Sequence, residues 1–456
     1  MTHTSQSASP LKDKNFVWML VGGITSMLGD QFTMIALPWL VLQLSNDAAQ
    51  LGLSLALLGV PRAVLILIGG AVVDRYSPKK VLMLSKHINT ALLACLIAAI
   101  LTQSIELWML HTTALLLGIS TAFSIPSGSS MLPRVVAKEH LQSANGMMLS
   151  LRQVTFFLGP LMAGGLIALF DNGASNAASG KLNHYGLAAA FFVDCFSYAF
   201  SAWTLSRVKV RDIVPAPTAP AAPTTPAGTQ TTQEKEASWL ASIMASTLEG
   251  LRYCWNDVLL RTCFLYWSAI ALFVMGPLQI AMPLLAQHIN NSASTLGFLG
   301  GAHGAGTLVG MVFASVFPRL RLGNLGRTLL TVDAIIALLF APLGMVNQSW
   351  QAAALLFVIG TLGGFLHVAV FTWIQSRVQP AMIGRTMSVF MFIFMGIGPI
   401  AAAITGVLMQ HATLSQLFLC SSVLLLSIVI IASISTPIKH IEERANRTLP
   451  EQPEST

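Results

Sequence analysis

The sequence predicts an all-α membrane protein, with twelve transmembrane helices arranged as two pseudo-symmetric six-helix bundles. Three observations carry that expectation. The 456 residues are 54% hydrophobic and only 9% charged, against about 25% charged in soluble domains, and mean hydropathy is +0.70. The apolar residues fall into twelve runs near the ~20 residues needed to cross a bilayer. Lys and Arg gather in alternate connections between those runs. A soluble enzyme, a disordered chain and a disulfide scaffold are excluded by the same figures. Of the five cysteines, four sit inside apolar runs, and no paired spacing suggests a metal site or a disulfide framework.

The runs cover residues 16–44, 51–73, 81–102, 107–129, 145–170, 186–206, 258–286, 294–317, 327–346, 350–376, 386–409 and 414–435. The first is too long for the 7–15-residue core of a secretory signal and has no cleavage site, so it reads as the first span. With the N-terminus inside, the connections after even-numbered spans are cytoplasmic. Of 25 Lys and Arg residues, 21 then lie inside, Lys181 lies outside, and Arg62, Lys86 and Arg152 fall within spans. That split places both termini in the cytoplasm.

Residues 1–206 form a first six-helix unit and 258–456 a second with a cytoplasmic tail. The connection, 207–257, has two parts. Residues 213–236 interleave Pro215, Pro217, Pro220, Pro223 and Pro226 with Ala and Thr, a composition that forms a tether rather than a core. Residues 238–256 place Leu240, Ile243, Met244, Leu248, Leu251 and Trp255 at helical spacing, which predicts a helix lying on the cytoplasmic membrane surface.

The halves echo one another. Ala36-Leu37-Pro38 in span 1 returns as Ala281-Met282-Pro283 in span 7, 245 residues later. Met148 precedes Gly159-Pro160 by 11 residues, and Met387 precedes Gly398-Pro399 by 11, an offset of 239. Parallel repeats with a midplane site between them are a design of secondary transporters.

The connection after span 2 reads Gly70-Ala71-Val72-Val73-Asp74-Arg75-Tyr76-Ser77-Pro78-Lys79-Lys80. This resembles the major facilitator superfamily pattern of Gly, three residues, Asp-Arg and a basic cluster. Gly159-Pro160-Leu161-Met162-Ala163-Gly164 in span 5 resembles that superfamily's antiporter motif, with Ala163 in place of one Gly. Pro126 to Asn145, Phe192-Val193-Asp194 and Gly384-Arg385-Thr386-Met387-Ser388 look like its drug-efflux branch of macrolide-type and enterobactin-type exporters. Span 4, around Thr113 to Gly118, lacks the Arg that many proton antiporters of the superfamily carry there. The connection after span 8 lacks the Asp-Arg pair.

The resemblance implies a major facilitator fold and a secondary active transporter. It would export an amphiphilic small molecule by proton antiport with alternating access. The implied partners are a small-molecule substrate, protons and the lipid bilayer, with no nucleic acid, cofactor or metal. The implied setting is a monomer in a bacterial inner membrane. An endogenous siderophore or lysophospholipid is the alternative cargo. A non-transporting receptor or scaffold is the alternative of another class. An enzyme is not expected, because no nucleophile–base constellation appears.

Ionisable groups inside spans cost roughly 2.5–3.5 kcal/mol on insertion scales, so each marks a candidate site. Asp30 shares a face of span 1 with Gly23, Ser26 and Thr33, a small polar face suited to a water-filled cavity. Arg62 follows Pro61 near the middle of span 2 and needs a carboxylate, for which Asp30 is the simplest candidate. Asp194 in span 6 is the third member of the expected proton-coupling and substrate cavity. Gly70, Asp74, Arg75, Lys79 and Lys80 form an expected cytoplasmic gate. Gly159, Pro160 and Gly164 form the antiporter-like motif. Arg152, His303 and His367 are further candidates. Lys86 reads as a snorkelling residue, and Arg152, early in span 5, as one that snorkels toward the cytoplasmic face. Asp333 reads as pairing locally with Arg327. The six glycines of span 8 read as a helix-packing surface.

Overall fold

The computed structural model describes residues 10–170, 183–210, 248–318, 320–379 and 382–441. Among them, twelve helices are long and apolar enough to cross a membrane. They are α1 (Lys14–Ser45), α2 (Ala48–Arg75), α3 (Pro78–Leu101), α4 (Leu107–Val135), α5 (Leu141–Leu169) and α6 (His184–Arg207). The second half holds α7 (Val258–Asn290), α8 (Ala293–Val316), α9 (Leu325–Leu343), α10 (Ser349–Arg377), α11 (Ile383–Leu408) and α12 (Leu414–Ser435). The predicted runs find these helices in order. The superfamily-like stretch after span 2 is not one loop. Asp74 and Arg75 end α2, Tyr76 and Ser77 turn, and Pro78 opens α3, where its missing N–H leaves no helical bond unmade.

Polar side chains set the helix starts. Asp13, Asp47, Asn183, Asp257, Ser292 and Asn324 accept from backbone N–H groups in the first turns of α1, α2, α6, α7, α8 and α9. Thr413 and Gln416 make a reciprocal capping box at α12. Each satisfies donors that a helix leaves unpaired.

The repeat seen in sequence has a structural counterpart. α1 and α7 both end on an asparagine in the left-handed region, Asn46 at φ 48° and Asn291 at φ 46°, 245 positions apart like the Ala-x-Pro pair. The two caps exchange partners across the halves. Gln43 Nε2 donates to Asn291 Oδ1 at 3.3 Å, and Gln287 Nε2 donates to Asn46 Oδ1 at 2.9 Å. Gln410, beyond α11, donates to Asp47 at 3.3 Å. These bonds join the halves at the end remote from the termini.

Two helix pairs form the seam between halves: α2 against α11, and α5 against α8. Their backbones approach too closely for side chains. A methyl on Gly164 would stand 2.8 Å from Gly297 Cα, and one on Gly52 would stand 2.8 Å from the Ala402 carbonyl. Without water to drive apolar association, such small-residue contacts let helices gain dispersion energy. The span 8 glycines divide between two neighbours. Gly297, Gly301 and Gly304 meet α5, and Gly306 and Gly310 meet α10.

α7 and α11 each contain a five-residue π turn, Ala271–Met275 and Ile393–Ile397, directly before Gly276-Pro277 and Gly398-Pro399. Proline has no N–H for the usual i−4 bond and its ring crowds that carbonyl. The wider turn absorbs the fault: Gly276 N–H reaches back to the Ala271 carbonyl.

Candidate functional site

Asp30, Lys86 and Asp194 gather in the interior of the first half. α1, α3 and α6 meet there, because Gly22 and Gly29 let α1 lie against Thr204 and Ser197 of α6. The polar face of α1 is therefore turned toward α3 and α6. Ser26 and Thr33 are buried and Asp30 is half-buried. Tyr198 Oη donates to Asp30 Oδ1, and Thr33 Oγ1 donates to Asp194 Oδ2. Ser197 Oγ donates to Asp194 Oδ1 at 3.2 Å and to its carbonyl at 2.7 Å. Asp194 is sealed, at 1% exposure.

Lys86 completes the cluster, and the snorkelling expected of it is corrected. It is the ninth residue of α3, roughly 12 Å into the helix at 1.5 Å per residue. Its Nζ donates to Ser26 Oγ at 2.6 Å and lies 4.7 Å from the Tyr198 ring centroid. It interacts electrostatically with both Asp30 and Asp194. Two carboxylates thus lie within electrostatic reach of one ammonium. A buried ammonium needs such partners, and a hydroxyl plus an aromatic face satisfies the rest of it.

The expected Asp30–Arg62 pair is not formed as a contact. Arg62 is within electrostatic reach of Asp30. Its Nε is buried without a hydrogen-bond partner among the described residues. Tyr198 hydrogen-bonds Asp30 instead, and Lys86, like Arg62, acts on it at electrostatic range. Tyr198 is the member that single-residue reading passed over, and Lys86 the one it misplaced. A spacing signal existed: Asp194 and Tyr198 are four apart, on one helix face.

In the second half, Tyr266 Oη of α7 donates to Asp333 Oδ2 of α9 at 2.6 Å. Asp333 does not pair with Arg327. Six residues separate them, a rotation of about 240° around the helix, and Arg327 is exposed at the helix start while Asp333 is buried.

The gate residues divide. The side chains of Gly70 and Asp74 lie outside the described residues. Arg75 and Lys80 are exposed. Lys79 Nζ donates to the Ser206 and Val208 carbonyls at 3.1 and 2.7 Å, a cation on the negative end of α6. Comparable clamps hold the second half at the same end. Arg377 grips Asp257 through two nitrogens, at 2.8–3.1 Å. Arg385 pairs with Glu249 at 2.6 Å. Residues 248–256 are helical, dock through Gly250 and Cys254 on the start of α11, and leave Leu248, Leu251 and Trp255 exposed. The rest of the expected surface helix, 238–247, lies outside the described residues, as does the Pro-rich stretch.

The antiporter-like motif forms part of the seam. Gly159 faces Gln31 of α1, and the Pro160 carbonyl and Gly164 face Gly297 of α8. Beside it, between α1, α5 and α8, opens a cavity of about 300 Å³ lined by Gln31, Gln153, Phe156, Pro160, His303 and Thr307. His303 therefore faces a cavity. Arg152 is exposed next to it, its Cζ 5.5 Å from the Phe156 ring centroid. His367 of α10 is within electrostatic reach of Arg152 and stands 6.3–6.5 Å from the ring centroids of Phe371, Phe390 and Phe394.

A cavity between two helical halves, with ionisable groups kept inside them, is the layout of a membrane transporter. The chain belongs to the Major Facilitator Superfamily, whose family model matches residues 19–403. Three characterised relatives are similar over most of it. Multidrug efflux pump Tap of Mycolicibacterium fortuitum is 23% identical, covering 91% of this chain and 94% of that protein. Macrolide efflux protein A of Streptococcus pyogenes is 19% identical, covering 94% and 97%. Enterobactin exporter EntS of Escherichia coli O1:K1 / APEC is 22% identical, covering 77% and 74%. Among solved structures, an auto-inhibited POT family peptide transporter superposes with a TM-score of 0.67 at 12% identity, covering 96% of this chain and 98% of that one. Nucleoside transporter NupG gives 0.64 at 12%, covering 91% and 97%. Those likenesses show the fold. The chain is a transporter, not an enzyme.

Proposed function

We propose that the protein exports small amphiphilic molecules in exchange for protons, by alternating access, as a monomer in a bacterial inner membrane. The observation that carries this reading is the buried cluster: Lys86 sits on Ser26 and over the Tyr198 ring, within electrostatic reach of Asp30, which Tyr198 holds, and of Asp194, which Thr33 holds. When one carboxylate takes a proton, Lys86 is released from it and held by the other. A proton is thereby converted into a shift between α1, α3 and α6. Asp30, half-buried, is the entry point for the proton, and sealed Asp194 is the inner partner. One charge crossing 100 mV supplies about 2.3 kcal/mol. The relatives' names, all of efflux or export proteins, support the outward direction.

The unit 1–206 rocks against 258–456 about the α2–α11 and α5–α8 seams. The hydrogen bonds remote from the termini belong to a state open toward the terminus-bearing face. The basic residues make that face cytoplasmic. A cysteine at Ser179 should react with an impermeant thiol reagent on intact cells, and one at Thr225 should not. The reverse pattern inverts the orientation.

Gly70, Asp74, Arg75, Lys79 and Lys80 act as the cytoplasmic gate. Charge contacts made in only one access state bias the balance between states. Proteoliposomes with an internal pH dye test both claims. Substrate added to wild-type protein should move protons against the substrate flux. Asp74→Asn should slow that exchange at least tenfold while substrate binding stays within about twofold. Substrate flux without proton movement refutes antiport, and wild-type exchange in Asp74→Asn refutes the gate.

A further inference from the structure

The space beside the seam has a charge character that its lining explains. Gln31, Gln153, His303 and Thr307 give it hydrogen-bonding groups, and Phe156 gives it an apolar wall. The fixed charge beside it is Arg152, on the exposed side of α5. From the other half, His367 stands among Phe371, Phe390 and Phe394 within electrostatic reach of that guanidinium.

The carboxylates well inside the described spans are Asp30, Asp194 and Asp333. Each is engaged by hydroxyls of its own half: Tyr198, Thr33 with Ser197, and Tyr266. Arg152 has the Phe156 ring beside it and no carboxylate hydrogen-bonded to it among the described residues. Arg62, across the same half, likewise has a buried Nε without a partner.

A guanidinium at the edge of such a cavity interacts most favourably with an oxyanion, because its planar fork donates two parallel hydrogen bonds. A cationic ligand there would meet like charge, which costs more as water is excluded. The phenylalanine cluster beside His367 offers ring faces and edges to a flat apolar body.

We infer that the cavity between the halves selects amphiphiles carrying a carboxylate or similar oxyanion on an aromatic body, with Arg152 as the residue that reads the negative charge. This deepens, and rests on, the reading of the chain as an exporter of small amphiphiles. It assigns the charge of the cargo.

Purified full-length protein in detergent tests it with three probes of one shape. These are 1-naphthoate, neutral 1-naphthamide and cationic 1-naphthylmethylamine, titrated at pH 7 against tryptophan emission. Naphthoate should bind at least tenfold more tightly than naphthamide, and the amine more weakly than either. Arg152→Gln should bring the naphthoate-to-naphthamide ratio close to one and leave naphthamide affinity unchanged, an outcome that a merely structural role does not produce. Arg152→Lys should restore part of the ratio. The proposal is overturned if the amine binds as tightly as the carboxylate, if naphthoate fails to bind, or if Arg152→Gln keeps the preference. Dye-reported proton release in the same titration separates the two claims. Carboxylate preference without proton release refutes the antiport reading and leaves the charge assignment standing.

Discussion

Asp30→Asn is expected to abolish proton-coupled export while leaving the fold in place. The amide keeps an oxygen where Asp30 Oδ1 accepts from Tyr198, so α1 and α6 stay joined. It removes the group that a proton can neutralise, and Lys86 is left with Asp194 alone. Each elementary charge moved across 100 mV sustains roughly a 50-fold concentration ratio, from about 2.3 kcal/mol. That ratio should fall to near one in Asp30→Asn vesicles. Asp30→Glu keeps a titratable carboxylate on a longer stem and should retain part of it. The decisive measurement is substrate-induced proton release from purified protein. Undiminished release in Asp30→Asn removes Asp30 from the mechanism and passes the role to Asp194.

Lys86→Met has the largest expected effect on stability. The side chain is buried at 9% exposure, within electrostatic reach of two carboxylates. Removing one member of a buried charge group leaves uncompensated charge and typically costs about 3–5 kcal/mol. Adding Asp30→Asn to that variant removes one of the stranded charges and should recover most of the loss. Residues in one network couple strongly, so the two substitutions should be far from additive. Thermal unfolding of wild type, the two single variants and the double variant in one detergent gives the cycle. Additive effects, or a Lys86→Met protein as stable as wild type, would show that Lys86 does not hold the cluster together.

The contrast between Lys86 and Arg152 shows where sequence reading reached its limit. Both are single cations within apolar runs, and both read as snorkelling residues. Arg152 remains exposed, with a phenylalanine one turn along as company. Lys86 points inward because Ser26, Asp30 and Tyr198 converge on it from α1 and α6. Nothing within α3 itself distinguishes the two cases. Asp30 and Arg62 failed as a pair for a related reason. Complementary charge on neighbouring helices suggested a contact, yet the rotation of α1 against α6, permitted by Gly22 and Gly29, directs the carboxylate to Tyr198.

Twelve spans, their order and the kinship of the two halves were determined by the sequence alone. Insertion into a bilayer depends on the local composition of ~20 residues, and caps such as Asp47, Asn46 and Asn291 act within a turn of their own position. Only the tertiary structure decided which polar groups meet. Ser26, Asp30, Thr33, Lys86, Asp194 and Tyr198 come from three helices, joined by hydrogen bonds that span up to 168 positions along the chain. Their meeting depends on helix rotation and approach. Those follow from small residues at the contacts rather than from any property of the charged residues themselves.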